Sequence, residues 1–367
     1  MIKLKSKSHF LCIGFMLLAT ILSCDKASEA DYVVIENSPV KVELDKVPYA
    51  KLSDYNFFKD NLKDQNPSLG VLPYKPTSEL FSDYAQKNRF IWLPKDTKAS
   101  YINDHENLNL PVGAALIKTF YYTNVQPSNT TRIIETRVMI RKEAGWIFAE
   151  YVWNDAQTEA VLQLEGSTTA ISWKDADNNI QSIDYKIPSE NACATCHYKD
   201  SNVLPIGIKP QNLNSNITYP EGNKNQLQKL IEVGYLENGL PINITSVVDY
   251  NDNSKNIDTR VRSYFDINCA HCHQDGGSAD YVTQLRLAFN KTVNPSNMGV
   301  CIAGLSPIPG INRSRLVTPN NIVESSLYFS MNTNLSIYRM PRLGRTILHK
   351  EGLQLVQQWI NSLEECQ

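Results

Sequence analysis

A surplus of charge of either sign is missing from this 367-residue chain: 36 Lys and Arg stand against 38 Asp and Glu, a formal net charge of −2. Without a basic stripe to neutralise phosphates, nucleic acid is excluded as a partner. No repeat at solenoid or propeller periods and no low-complexity tract interrupts the chain. Beyond its first two dozen residues, no apolar run is long enough to span a bilayer, which excludes a multi-helix membrane protein. What remains is a chain with a hydrophobic fraction of 42%, enough for ordinary packed cores, and a length that favours more than one domain.

The one pronounced apolar run lies at the start. Lys3, Lys5 and Lys7 precede an apolar stretch over 10–22 that ends Ile21-Leu22-Ser23-Cys24. Such a run is too short for a comfortable span, and its charged flank reads as an export signal over 1–23. Its end resembles a bacterial lipobox, which implies lipid attachment at Cys24 as the only membrane anchor. Removing the three lysines leaves 33 basic against 38 acidic groups, a formal charge of −5. The expected location is the cell envelope, lipid-anchored, on the periplasmic or outer-surface side, with 24–45 as a linker. Disulfides are permitted there.

Eight cysteines are present. Cys12 leaves with the signal and Cys24 is the lipid site. Cys301 and Cys366 stand alone, and sequence leaves open whether they form a disulfide or two buried thiols. The other four fall in Cys193-Ala194-Thr195-Cys196-His197 and Cys269-Ala270-His271-Cys272-His273. Thiols at i and i+3 can both reach the vinyl groups of one haem, and the histidine at i+4 then offers a ring nitrogen to the iron. With so few Cys and His, one chance match is expected in about three of a thousand such chains, so two matches in one exported chain carry weight. Two rival chemistries use the same cysteines, a four-thiolate zinc site and a redox dithiol. Zinc leaves the two following histidines unexplained, and a thioredoxin-like dithiol wants a βαβ setting that the pattern lacks. Two covalently bound haem c groups are therefore expected, with His197 and His273 as iron ligands. His271, between the second pair of cysteines, is expected at a haem edge or in solvent.

The fold expected is α+β. In the portion 46–250, a short helix over 45–70 carries Leu52, Tyr55, Phe58 and Leu62 on one side, and strands are expected over 89–93, 115–123, 132–141, 146–153 and 160–164. These make an antiparallel sheet or sandwich-like domain that delivers the chain to the first motif, followed by helix-rich or irregular chain that includes 225–233. The portion 251–367 is expected to be an all-α, cytochrome c-like domain. In it, Asp258 caps a helix leading into the second motif. A final amphipathic helix carries Leu353, Leu355, Val356, Trp359, Ile360 and Leu363; this order of elements resembles the small cytochrome c fold, whose first and last helices cross, which implies that Tyr264 or Phe265 packs near Trp359. Of Met298, Met331 and Met340, the last precedes Pro341 and the final helix and is the expected sixth ligand of the second haem; the alternative for each is a core methionine. His349 is expected to be structural. For the first haem, His105 and Met139 are the candidates for a sixth ligand, beside an open, five-coordinate iron.

These motifs, in order, resemble a family of bacterial dihaem c-type cytochromes. The matching stretches include Gly70-Val71-Leu72-Pro73-Tyr74, Leu80 to Tyr84, Arg89 to Pro94, Ile134-Glu135-Thr136-Arg137, Gly145-Trp146, Tyr151-Val152-Trp153, Pro205-Ile206-Gly207, Asn268 to His273, and Gly344-Arg345 through His349 to Trp359-Ile360. The resemblance spans nearly all of 50–363 and implies two haems and electron transfer with an unidentified redox partner protein. The β-rich portion also resembles mono-haem β-sheet cytochromes that oxidise hydroxylamine. That second resemblance implies an alternative, a haem enzyme acting on peroxide or a small nitrogen compound at an open first haem.

Overall fold

The centre of the molecule is an eight-stranded antiparallel sheet. In the computed structural model, which describes residues 37–304 and 315–366, its strands are β1 (Leu72–Pro73), β2 (Gln86–Trp92), β3 (Ala115–Val125), β4 (Thr130–Lys142), β5 (Gly145–Trp153), β6 (Ala160–Leu162), β7 (Ser167–Lys174) and β8 (Ile180–Ile187). The path runs β8-β7-β3-β4-β5-β6, and β2 pairs with β3 and with β1. All five expected strands are present with slightly displaced ends. The hairpin β7–β8 was not expected, although Ile171 and Trp173, and Ile183, Tyr185 and Ile187, alternate as strands do and are buried.

Both faces of the sheet are covered, so β3 reads as an almost continuous apolar run. Phe90, Ile117, Val138 and Ala149 face a core closed by Val47, Leu52, Tyr55 and Phe57 from the preceding chain. Ile91, Leu116, Met139 and Trp146 share the opposite core with Leu213, Leu227 and Leu230 from short helices α2 (Pro210–Leu213) and α3 (Gln226–Glu232). Asn225 caps α3 through Leu227 and Gln228 N–H groups. Burying each large apolar side chain contributes roughly 1.5–3 kcal/mol.

Three expectations are corrected. The expected strands lie in one eight-stranded sheet and not in a sandwich, with three separate two-stranded pairs elsewhere in the described residues. No regular helix fills 45–70, because Asn56, Asp60 and Gln65 adopt left-handed backbone (φ 55, 61 and 50°), leaving 3₁₀ turns Leu52–Tyr55 and Leu62–Asp64. The α+β reading with an all-α cytochrome c-like domain also fails. Strand outweighs helix in the described residues, and the described part of 251–367 holds α4 (Ile257–Asn268), a 3₁₀ turn Pro295–Met298, α5 (Ser326–Met331) and α6 (Lys350–Ile360) within irregular chain. That chain is rich in turn formers and held by isolated bridges such as Val300–Val317 and Arg315–Ser325.

Within this portion α4 packs on α6, and Phe265 meets Trp359 edge-on, ring centroids 5.9 Å apart at 89°. Asn256, not Asp258, caps α4, accepting from the N–H groups of Asp258 and Thr259. Buried polar groups fasten this portion to Asp83, just before β2, and to Lys209 and Gln211 at α2. The Asp83 carboxylate accepts from Thr346 N (2.7 Å), Ile347 N (3.1 Å) and Thr346 Oγ1 (3.0 Å). Asp266 accepts from Lys209 Nζ and Gln211 Nε2, both at 3.0 Å. From Ser38 onward the chain is one compact unit.

Candidate functional site

The first motif sits on α1 (Glu190–His197), which starts where β8 ends. Pro188 stops the strand, and the Ser189 hydroxyl caps the helix by accepting from Ala192 N. The helix lies against β5, so Cys193 is buried with its sulfur 3.9 Å from a Glu150 carboxylate oxygen. His197 Nδ1 lies 2.7 Å from the Leu204 carbonyl. A carbonyl only accepts, so Nδ1 carries the hydrogen and Nε2 presents its lone pair. Burial depresses the imidazole to about 3 and keeps it neutral. Phe148 holds the ring edge-on at 5.0 Å. This is the tautomer and the fixed orientation that an axial iron ligand needs.

The second motif continues α4 for one more turn, with His273 N donating to Cys269 O at 3.0 Å. His273 is held down to about 4 by burial. Its Nδ1, like that of His271, is buried without a hydrogen-bond partner. A buried ring nitrogen left unpaired is costly unless something bound at the site uses the imidazole.

The fold brings the two motifs together. The sulfurs of Cys196 and Cys272 and a ring nitrogen of His271 lie within 4.8 Å of one another. Cys193 and Cys269 stand outside this cluster, so the four-thiolate zinc arrangement is not formed. All four motif cysteines are free thiols. Two cavities adjoin the motifs, one of about 560 Å³ lined by Cys193, Cys196 and His197 and one of about 510 Å³ lined by Cys196, His197, His271 and His273, whereas Cys269 and Cys272 line neither; both volumes are within the range of pockets that enclose an organic cofactor. Cys196, His197, Pro205, Ile206 and His271 line both and form the wall between them.

The larger cavity lies on the sheet, and register determines what it meets. Leu116, Met139 and Phe148 are cross-strand neighbours and make an apolar row. Two residues along the strands, on the same face, Arg89, Lys118, Arg137 and Glu150 are cross-strand neighbours in turn and make a charged row. Leu116, Met139 and Phe148, then Lys118, Arg137 and Glu150, all line the cavity. Burial holds the Lys118 ammonium well below its usual range. A flat apolar ring carrying two carboxylates matches both rows, so the residues present fit a haem. Sequence reasoning passed over Lys118, Arg137 and Glu150. Lys118 and Glu150 were each the only charged side chain in an otherwise uncharged strand, whereas Arg137 stood among other charged residues of β4.

The remaining candidates divide. Met340 lines the larger cavity with Cys193, Cys196 and His197, whereas His273 lines the smaller one. The structure therefore does not bring Met340 and His273 into one cavity. Met331 also lines the larger cavity, and Met298 is 1% exposed inside the core around α4 and α6. Met139 faces the larger cavity from β4, and His105 faces the smaller, with Nδ1 2.7 Å from Gln211 Oε1. His349 is buried, stacked on Phe81 at 4.1 Å, with Nδ1 3.1 Å from the Tyr264 hydroxyl. Cys24 lies outside the described residues.

No protein-family model, curated protein or solved structure matches this chain.

Proposed function

We propose that this chain is a dihaem c-type cytochrome that transfers electrons in the bacterial cell envelope. The observation that carries the reading is the meeting of the two Cys-x-x-Cys-His motifs through Cys196 and Cys272 beside two cofactor-sized cavities. A bound haem supplies an iron that changes oxidation state by one electron. The chain supplies the rest. Cys193 and Cys196 would hold one haem and Cys269 and Cys272 the other as thioethers, through additions that consume no oxidant. His197 and His273 offer ring nitrogens to the irons. Met340 offers its sulfur, which raises the potential of the haem it serves relative to a second imidazole. Lys118 and Arg137 balance the carboxylates of the haem held by Cys193 and Cys196, while Leu116, Met139 and Phe148 exclude water from its ring.

An anchor on Cys24 would hold the protein at a membrane surface near a redox partner protein. Among the described residues no helix is long and apolar enough to cross a membrane. The Cys301–Cys366 disulfide supports an oxidising compartment.

The test is expression of the full chain with haem-maturation machinery, followed by intact mass and haem assay. Two covalent haems per chain and two one-electron steps are expected. Colourless protein, or stoichiometric zinc in place of iron, would refute the reading. Met340→Ala should lower the potential of one haem and open it to carbon monoxide; an unchanged titration would remove Met340 as a ligand. Turnover of peroxide or a nitrogen compound at the haem of His197 in the unmodified protein would favour the enzymatic alternative over simple electron transfer.

A further inference from the structure

A buried carboxyl with no countercharge of its own stands beside the first haem motif. Glu150 is 4% exposed. One of its oxygens lies 3.9 Å from the Cys193 sulfur, and the other is buried without a hydrogen-bond partner. Its natural cation is Arg137, directly opposite in the β4–β5 ladder. Yet Arg137 is already engaged by Glu135, at 2.5 and 3.0 Å, and its Nε stands 3.7 Å from Glu150. Glu135 also accepts the Tyr185 hydroxyl at 2.6 Å. One guanidinium thus serves two buried carboxyl groups, and Glu135 holds it. Two buried carboxyls that share one guanidinium disfavour the ionisation of both. Burial first, and the Glu135 charge second, push Glu150 upward, whereas Glu135 is held down by Arg137. Glu150 is the group that keeps the proton.

We propose that Glu150 is the proton partner of the haem bound through Cys193, taking up a proton when that haem is reduced and releasing it on oxidation. This rests on the haem reading above. The balance is one electron and one proton. On oxidation the electron passes to the neighbouring haem of the second motif or to the redox partner, the iron gains one positive charge, and the Glu150 O–H bond breaks. The proton leaves through the end of the cavity lined by Glu165, Ser167, Thr168 and Lys186, which reaches solvent. In a medium of low dielectric, one added positive charge close to a carboxyl favours its ionised form strongly. The other groups facing Glu150 are Arg137 and Glu135 on β4, Tyr185 on β8, Cys193 on α1 and Lys118 on β3. Arg339 and Arg345 lie across the same cavity. Cys193 is consumed as a thioether, and Tyr185 is held well above its usual range by burial. Arg137 keeps its charge, and Lys118, which burial holds below its usual range, is told apart from Glu150 by the carboxyl band and by Glu150→Gln.

The experiment is a potentiometric titration of the mature dihaem protein over a range of pH, paired with redox-difference infrared spectra. One haem should fall in potential with rising pH, approaching about 59 mV per unit, the one-electron equivalent of a tenfold change in equilibrium constant. The same protein should show a protonated-carboxyl band appearing on reduction. Glu150→Gln should flatten that slope, remove the band and leave the other haem unchanged. A flat slope in unmodified protein, or a slope and band that survive Glu150→Gln, overturns the inference. If the variant fails to fold, the slope and band of the unmodified protein still decide it. A haem assay on the same sample separates the two readings: absent haem overturns both, and two haems with a flat slope overturn this one alone.

Discussion

Cys196 and Cys272, from different motifs, turn their sulfurs toward one another within 4.8 Å, with a ring nitrogen of His271 in the same cluster. In each motif it is the cysteine next to the histidine that faces the other motif. In chain made without haem maturation these environments separate the four thiols. The hydrogen bond from Cys196 holds Cys272 below the usual thiol range, while burial pushes Cys193 up to about 11 and Cys269 up to about 12. The thiolate is the reactive form. Timed alkylation near neutral pH, read by peptide mass spectrometry, should therefore mark Cys272 first and Cys193 and Cys269 last. Equal rates at all four would mean that the two motifs do not meet.

Arg345 organises the segment that carries Met340. It is 4% exposed, and its guanidinium donates to the carbonyls of Met340 (3.0 Å), Thr333 (2.9 Å) and Met331 (3.1 Å) and to Asn334 Oδ1 (3.0 Å). A lysine cannot reproduce this planar fork. Arg345→Lys should cost about 2–4 kcal/mol, because several buried carbonyls lose their donors. Urea unfolding measures this directly. The same variant should broaden or split the potential of the haem that Met340 serves, since the loop is no longer fixed. A loss below about 0.5 kcal/mol, in the range of ordinary surface changes, would mean that Arg345 does not hold the loop.

How far the sequence was legible follows from how local each signal is. The strands β2 to β6 were readable because alternation and turn residues are written within a few neighbours. The packing of Phe265 near Trp359 was expected from a likeness in the order of elements, and the two helices do pack there. The helix over 45–70 was misread because its apolar spacing is helical while Asn56, Asp60 and Gln65 take left-handed backbone, which spacing does not reveal. The C-terminal portion was read as all-α from its two end helices, and the irregular chain between them has no periodic signature. The motif residues were legible from chemistry alone. Their meeting at Cys196 and Cys272 was not, nor was the row Arg89, Lys118, Arg137, Glu150, because both arise from pairing between distant segments.

Glu150 also predicts a pH dependence of stability that does not require haem. Its carboxyl is raised in the fold, chiefly by burial and then by Glu135. Above the unfolded carboxyl range, the native state binds a proton that the unfolded chain has lost. Stability from this group is full at acid pH and falls as pH rises toward the folded value, by up to about 1.4 kcal/mol per unit. Glu150→Gln keeps the shape without the titration. It should stabilise the haem-free chain at pH 8 relative to pH 5, compared with the unmodified chain. Parallel denaturation curves at the two pH values test this, and an identical pH dependence in both proteins would show that Glu150 is ionised in the fold.

The Cys301–Cys366 disulfide fastens the chain beyond α6 to the strip that holds Val317 and α5. Its partners are 65 residues apart in sequence, and a loop of that size restricts the unfolded chain by about 4 kcal/mol. Replacing both cysteines with serine removes that restriction and disturbs neither motif. The expected result is a lower urea midpoint with haem content unchanged. Non-covalent contacts limit the loss in the native state, since Asn320 N donates to Ile360 O and Asn320 Nδ2 to Leu363 O, both at 2.9 Å. With these bonds in place the end of α6 should stay docked, so the effect lies mainly in the unfolded chain. An unfolding rate that is nearly unchanged alongside slower refolding would agree with that division. A large rise in the unfolding rate would place the effect in the native state instead.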